Sequence, residues 1–180
     1  MTSPRKLRFA AIGLDHRHIY DQVKSLLEIG AECVGFWTRD EAVPLPGFVE
    51  RFPQVPRVAD RRRLLEDRSI QLITCAAIPN ERAALAVEAM RHGKDFMVDK
   101  PGLTSFAQLA AVRAAQAETG RIFSVDFTER FEVRATTRAG ELVQGGAIGR
   151  VIHTTGLGPH RLNRHLRPPW FSGARPMAAS

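Results

Sequence analysis

The sequence predicts an α/β fold built on a doubly wound parallel sheet, followed by a shorter α+β segment. Three observations carry this. Short apolar runs alternate with stretches whose apolar residues recur at helical spacing, the grammar of strand–helix–strand units with right-handed crossovers. The first run, residues 7–12, ends in Gly13 and opens straight into a helical stretch. A later run, Phe96-Met97-Val98, ends in Asp99-Lys100-Pro101. Ligands of an open parallel sheet bind at the carboxyl ends of its strands. Both turns are therefore expected at one sheet edge.

Each element has a local reason. Residues 7–12 form an apolar run suited to a strand buried on both faces. Ile19, Val23, Leu26 and Leu27 fall at helical spacing between residues 16 and 29, and Gly30 stops that helix. Residues 33–37 are the second strand. Pro44, Pro46, Pro53 and Pro56 then confine the chain to loops and one short helix over 48–52. A short third strand is expected over 57–59, with Asp60 capping a helix to about residue 67. Residues 70–78 are almost wholly apolar and read as the central fourth strand.

Asn80 is placed to cap the next helix, which carries Ala84, Val87 and Met90 and closes at Gly93. Residues 96–98 are the fifth strand. Ser105 and Gln108 make a capping box before a helix that ends at Gly120, and 122–127 is the sixth strand. The nucleotide-type domain is thus expected over residues 1–125. From 126 to 180 the pattern changes to a helix over 132–143, a strand over 151–157 and a basic, proline-interrupted tail.

The chain has 180 residues, which allows one domain comfortably and a second only if it is small. Its apolar runs fall well short of the roughly 20 residues that span a membrane. The N-terminus lacks a signal-like apolar core, so a cytoplasmic protein without a membrane partner is expected. Cys33 and Cys75 lie in expected strands without metal spacing and read as reduced core residues. The formal charge of +7 is spread. Arg61-Arg62-Arg63 sits beside Glu66 and Asp67, and no nucleic-acid-binding signature is present, so no nucleic-acid partner is expected.

The candidate site starts at Gly13-Leu14-Asp15-His16-Arg17-His18. A dinucleotide turn of the Rossmann type shows Gly-x-Gly-x-x-Gly, because the turn is tight and the pyrophosphate approaches the backbone closely. Only the first glycine stands here. Asp15 takes the second place and His18 the third. Asp15 precedes His16 and is a candidate N-cap, where its carboxylate would compete with phosphate for helix N–H groups. His16 and Arg17 offer phosphate contacts in partial compensation. The second strand ends in Thr38-Arg39-Asp40, with Thr38 where a ribose-binding acid would stand. Arg39 suits a 2′-phosphate, so NADP is favoured over NAD. His16 and Tyr20 are four apart, but the sequence offers no third ligand, and no metal site is expected.

The phosphate turn with Asp99-Lys100-Pro101 resembles the Gfo/Idh/MocA oxidoreductases, the family of glucose-fructose oxidoreductase and inositol dehydrogenase, which carry Glu-Lys-Pro at that place. The resemblance runs from about residue 7 to about 171. It includes Ile78-Pro79-Asn80, Thr128-Glu129-Arg130-Phe131 and Gly149-Arg150-Val151. It implies an NAD(P)-dependent oxidoreductase acting on a sugar, inositol or related polyol, with Lys100 orienting the reacting alcohol and assisting proton transfer. It further implies that Pro79 and Asn80 flank the nicotinamide ribose, that Asp99 belongs to the cofactor site and that Arg130 contacts substrate or cofactor.

The family's second catalytic element, an Asp followed by a His beyond the Arg-Pro-Pro-Trp-Phe region, has no counterpart after Arg167-Pro168-Pro169-Trp170-Phe171. The sequence therefore reads as a truncated member that is inactive alone. The alternatives are a non-catalytic nucleotide- or sugar-binding module and a non-functional gene fragment. An unpaired strand over 151–157 is expected to promote self-association through the incomplete C-terminal sheet, or disorder from about residue 145.

Overall fold

A computed structural model describes residues 6–127, 133–158, 161, 163, 165 and 167–172. Five parallel strands make one sheet in the order β2-β1-β3-β4-β5. They are β1 (Arg8–Ile12), β2 (Glu32–Trp37), β3 (Leu72–Cys75), β4 (Asp95–Asp99) and β5 (Phe123–Asp126). The helices between them are α1 (Ile19–Glu28), α2 (Leu45–Arg51), α3 (Arg62–Glu66), α4 (Arg82–Arg91) and α5 (Phe106–Thr119). The doubly wound parallel sheet expected from the sequence is the fold.

Both sheet faces are covered, which is why the strands read as apolar runs and not as alternating patterns. Phe9 and Ala11 pack with Ile19, Val23, Phe36, Phe48 and Phe52 on one face. Ala10 and Ile12 pack with Ile73, Phe96, Val98, Ala86 and Met90 on the other. Burial also raises the thiols of Cys33 and Cys75 to about 12, so neither is a nucleophile at neutral pH.

Several expected elements differ. The third strand over 57–59 is reduced to a single parallel bridge between Phe36 and Arg57. Phe36 N–H donates to Pro56 O and Val58 N–H to Phe36 O, after which the chain turns away toward α3. Proline at 56 has no N–H to extend the ladder. The first helix starts at Ile19 and not at residue 16, because His16 N–H donates to Ala76 O of a neighbouring loop. Asn80 lies in a short 3-10 turn, Pro79–Glu81, and its side chain caps nothing. The capping box is half realised: Ser105 Oγ accepts from Gln108 N–H, while the Gln108 side chain turns to Thr104.

The chain divides into two units, residues 1–126 and 127–180. The second contains α6 (Arg134–Gln144), with an exposed apolar stripe that includes Leu142 and Val143. Residues 151–158 are exposed and form no strand, contrary to expectation. A strand exists only against a partner, and no described residue of this unit offers a ladder.

Candidate functional site

The site is built on the carboxyl ends of β1, β2, β3 and β4. Gly13 adopts φ +81°, a conformation only glycine takes without strain. Its N–H donates to Trp37 O and its O accepts from Ala76 N–H, both at 2.9 Å, which ties β1 to the ends of β2 and β3. An added Cβ would lie 2.6 Å from Ala77 Cβ. Leu14 is fully buried, and its N–H donates to Thr38 Oγ1 at 3.1 Å. The Thr38 hydroxyl is therefore engaged in holding the turn.

Asp15 does not cap α1, in contrast to the sequence expectation. It is 5% exposed and points across to β2, with Oδ1 3.1 Å from Arg39 Nε. It also accepts from the Ile78 backbone N–H, while Oδ2 is buried without a partner. Burial raises its pKa, Arg39 partly opposes this, and Glu81 reinforces it. Arg39 is shared between Asp15 and Glu81. Beside it, Trp37, Thr38, Arg39, Asp40, Arg57, Val58 and Ala59 line a cavity of about 570 Å³. Arg57 donates to Thr38 O at 2.8 Å and to Asp40 at 2.7 Å, so two guanidinium groups face that space. A second cavity of about 390 Å³ borders Gly13, Arg39, Asn80 and Glu81.

At the end of β4 lies a different arrangement. Asp99 is 2% exposed. Its Oδ1 is 2.8 Å from His18 Nδ1, and its Oδ2 is 3.2 Å from His16 Nδ1 and 3.3 Å from Arg82 Nη2. Burial alone would raise its pKa. Hydrogen bonds from the two histidines and the charges of His18 and Arg82 outweigh it and hold the carboxyl well below the usual range. Arg82, 1% exposed, also donates to the backbone oxygens of Ala77, Asp99 and Pro101. It clamps the β3 and β4 ends together.

Asp99 is thus spent on His16, His18 and Arg82. Lys100 beside it is half-buried and forms no hydrogen bond or ion pair with any described residue. Tyr20 donates its hydroxyl to Pro44 O at 2.8 Å. Pro79 follows β3 at the same edge, and Asn80 lines the second cavity. Arg130 lies outside the described residues.

The sequence reading passed over Arg82, Arg57, Glu81 and the part played by His18. Arg82 left a trace: it shares a helical stripe with Leu85, Ala86 and Ala89, and a charge on an apolar stripe demands a buried partner. His18 left none, because its partner is 81 residues away.

Comparison with known proteins places this geometry in context. The model of an oxidoreductase family with an NAD-binding Rossmann fold, Gfo/Idh/MocA, matches residues 7–127. The chain is 27% identical over 157 residues to a scyllo-inositol 2-dehydrogenase (NAD(+)) of Bacillus subtilis, covering 84% of this chain and 44% of that one. It is 51% identical, with a TM-score of 0.88, to a crystal structure from Erwinia carotovora atroseptica classed among the oxidoreductases, covering 92% and 49%. It shares the fold of a Lactobacillus plantarum myo-inositol 2-dehydrogenase at 20% identity and a TM-score of 0.68, covering 82% and 43%. The chain spans less than half the length of each of these relatives.

Proposed function

Because the chain belongs to the Gfo/Idh/MocA oxidoreductase family, we propose that it binds NAD(P) and forms the nucleotide-binding part of an oxidoreductase acting on a sugar, inositol or related polyol. One observation carries the reading: the Gly13 turn of β1 and the Lys100 end of β4 meet at one sheet edge, tied by the His18–Asp99 contact at 2.8 Å. This is the crevice in which doubly wound sheets take their ligands.

The roles follow from the residues. Gly13 keeps the turn open for a pyrophosphate. Arg39 and Arg57 line the cavity at the end of β2 and suit a 2′-phosphate, which favours NADP over NAD. Pro79 and Asn80 border the crevice. Bound nicotinamide nucleotide supplies the hydride acceptor. Lys100, without a partner among the described residues, orients a substrate hydroxyl and takes part in moving its proton. The polyol class rests on the inositol-dehydrogenase relative.

The second reading, a non-catalytic binding module, is favoured by Asp15, which stands where the family pattern has its second glycine and is locked to Arg39. Calorimetric titration with NADP and NAD, joined to a cofactor-reduction assay over inositols and sugars, separates the two. The oxidoreductase reading expects tighter NADP than NAD binding by this chain, and turnover that disappears in Lys100→Ala once the family's Asp/His element is also supplied. Nucleotide binding without turnover even with that element supplied selects the module, and tighter NAD binding overturns the role of Arg39.

Self-association belongs to the same proposal. Ile148, Ile152 and Leu157 are 68%, 85% and 91% exposed, and a second copy would cover them. Sedimentation should show an oligomer that Ile152→Glu weakens. A monomer at all concentrations refutes this.

A further inference from the structure

We propose that His16, His18 and Asp99 form a divalent-metal site of the zinc type, with one coordination position open to an oxygen ligand. The three residues come from two elements that the fold brings together, the loop after β1 and the end of β4. One donor atom from each lies within 4.8 Å of the others. His18 Nδ1 is 2.8 Å from Asp99 Oδ1, and His16 Nδ1 is 3.2 Å from Oδ2. A zinc ion holds its nitrogen and oxygen donors at about 2.0–2.2 Å, which spaces them roughly 3–3.5 Å apart. Small side-chain shifts suffice to admit the ion.

Hydrogen bonding alone leaves His16 in conflict. A neutral imidazole nitrogen either donates or accepts. His16 Nδ1 faces Asp99 Oδ2, which needs a proton there, and also the His18 backbone N–H at 3.4 Å, which needs a lone pair. A cation bound at Nδ1 takes that lone pair in place of the proton, and the 3.4 Å contact with the His18 N–H opens. The two rings stand at 90° with centroids 4.2 Å apart, and both Nδ1 atoms lie against the one carboxylate.

The supports of the ligands are rigid. Asp99 is fixed by Arg82, and the loop is fixed by the His16 N–H bond to Ala76 O at 2.9 Å. The histidine side chains are 18% and 26% exposed, which leaves an approach from solvent. Two imidazoles and one carboxylate with a free position match the three-ligand arrangement of zinc sites that bind a water or a substrate oxygen. Imidazole donors favour Zn²⁺, Co²⁺ and Ni²⁺ over Mg²⁺ and Ca²⁺. Arg82 and the start of α1 both oppose a cation, so binding is weaker than in a structural zinc site. The site does not depend on nucleotide binding.

The test is titration of the untagged full chain, without nucleotide, with ZnCl₂ by calorimetry and with CoCl₂ by visible absorption. One equivalent of Zn²⁺ should bind, Co²⁺ should give the ligand-field bands of a nitrogen- and oxygen-ligated ion, and Mg²⁺ should not compete. His16→Ala and His18→Ala should each lower the affinity at least tenfold with an unchanged circular dichroism spectrum. His92→Ala, at an exposed histidine bonded to Glu88 O, should change nothing. No Zn²⁺ binding, or equal binding by the His16→Ala/His18→Ala double variant, overturns the proposal.

Discussion

Asp15 and Asp99 are both aspartates buried at the carboxyl edge of one sheet, and the fold treats them in opposite ways. Asp99 has two imidazoles and a guanidinium around it and is held ionised. Asp15 has Arg39 and the Ile78 N–H on one side, and nothing on its buried Oδ2. Its carboxyl is pushed up. Burial pushes both acids up; it prevails at Asp15, whose partners are few, and is overcome at Asp99 by two imidazoles and a guanidinium. Asp99 acts as the clamp that joins the loop after β1 to β4. Asp15 is an acid lodged in the Gly13 turn, where burial disfavours its charged form.

The largest way to break the contrast is to remove Asp99. Asp99→Ala leaves Arg82 as an uncompensated buried charge, which costs about 3–5 kcal/mol. Chemical denaturation should show a loss of that order or a chain that does not fold. A loss under about 1 kcal/mol would show that the clamp contributes little.

Gly13 underlies both sides of the comparison. Gly13→Ala adds a Cβ 2.6 Å from Ala77 Cβ at a φ of +81°, and should cost about 2–3 kcal/mol. Thermal melting of the variant beside wild type measures this. An unchanged melting temperature would mean that the turn relaxes freely.

Removing the acid of the turn should help nucleotide binding. Asp15→Gly takes a negative charge away from the crevice and should tighten NADP about tenfold, or about 1.4 kcal/mol. Unchanged affinity by calorimetry would place the phosphates away from Asp15.

The smallest effect sharpens the contrast through pH. Asp99 has a folded pKa below its unfolded value of about 3.8, so its contribution is complete above pH 4 and lost as acid titrates the folded group. Asp15 has a folded pKa above that same value, so its neutral form favours folding only in acid, and that gain is lost as pH rises through the folded pKa. Asp15→Asn should therefore stabilise the protein at pH 7 and do so by less at pH 4. Arg39 is part-exposed and keeps Glu81, so the variant leaves no isolated buried charge. Urea unfolding at both pH values checks this, and destabilisation at pH 7 would mean that the Arg39 pair outweighs burial.

Much of the fold was legible because its causes are local. Apolar runs bounded by glycine marked the strands, Ser105 marked the start of α5, and Gly120 in the left-handed conformation marked its end. These features depend on residues a few positions apart. The strand expected over 57–59 and the one over 151–157 depend instead on a partner ladder, which no local pattern can supply. Of the candidate site, the sequence determined the residue types and the sheet edge they reach: Gly13, Asp15 and Arg39 from one end, Asp99 and Lys100 from the other. Only the tertiary structure decided which of them touch. It turned Asp15 from a helix cap into the partner of Arg39, left Lys100 without a partner among the described residues, and brought His16 and His18 onto a carboxylate more than eighty residues away. The reason is physical: helix and turn propensities act over one or two turns of chain, whereas a buried charge is satisfied by whatever group the packing of the whole sheet sets beside it.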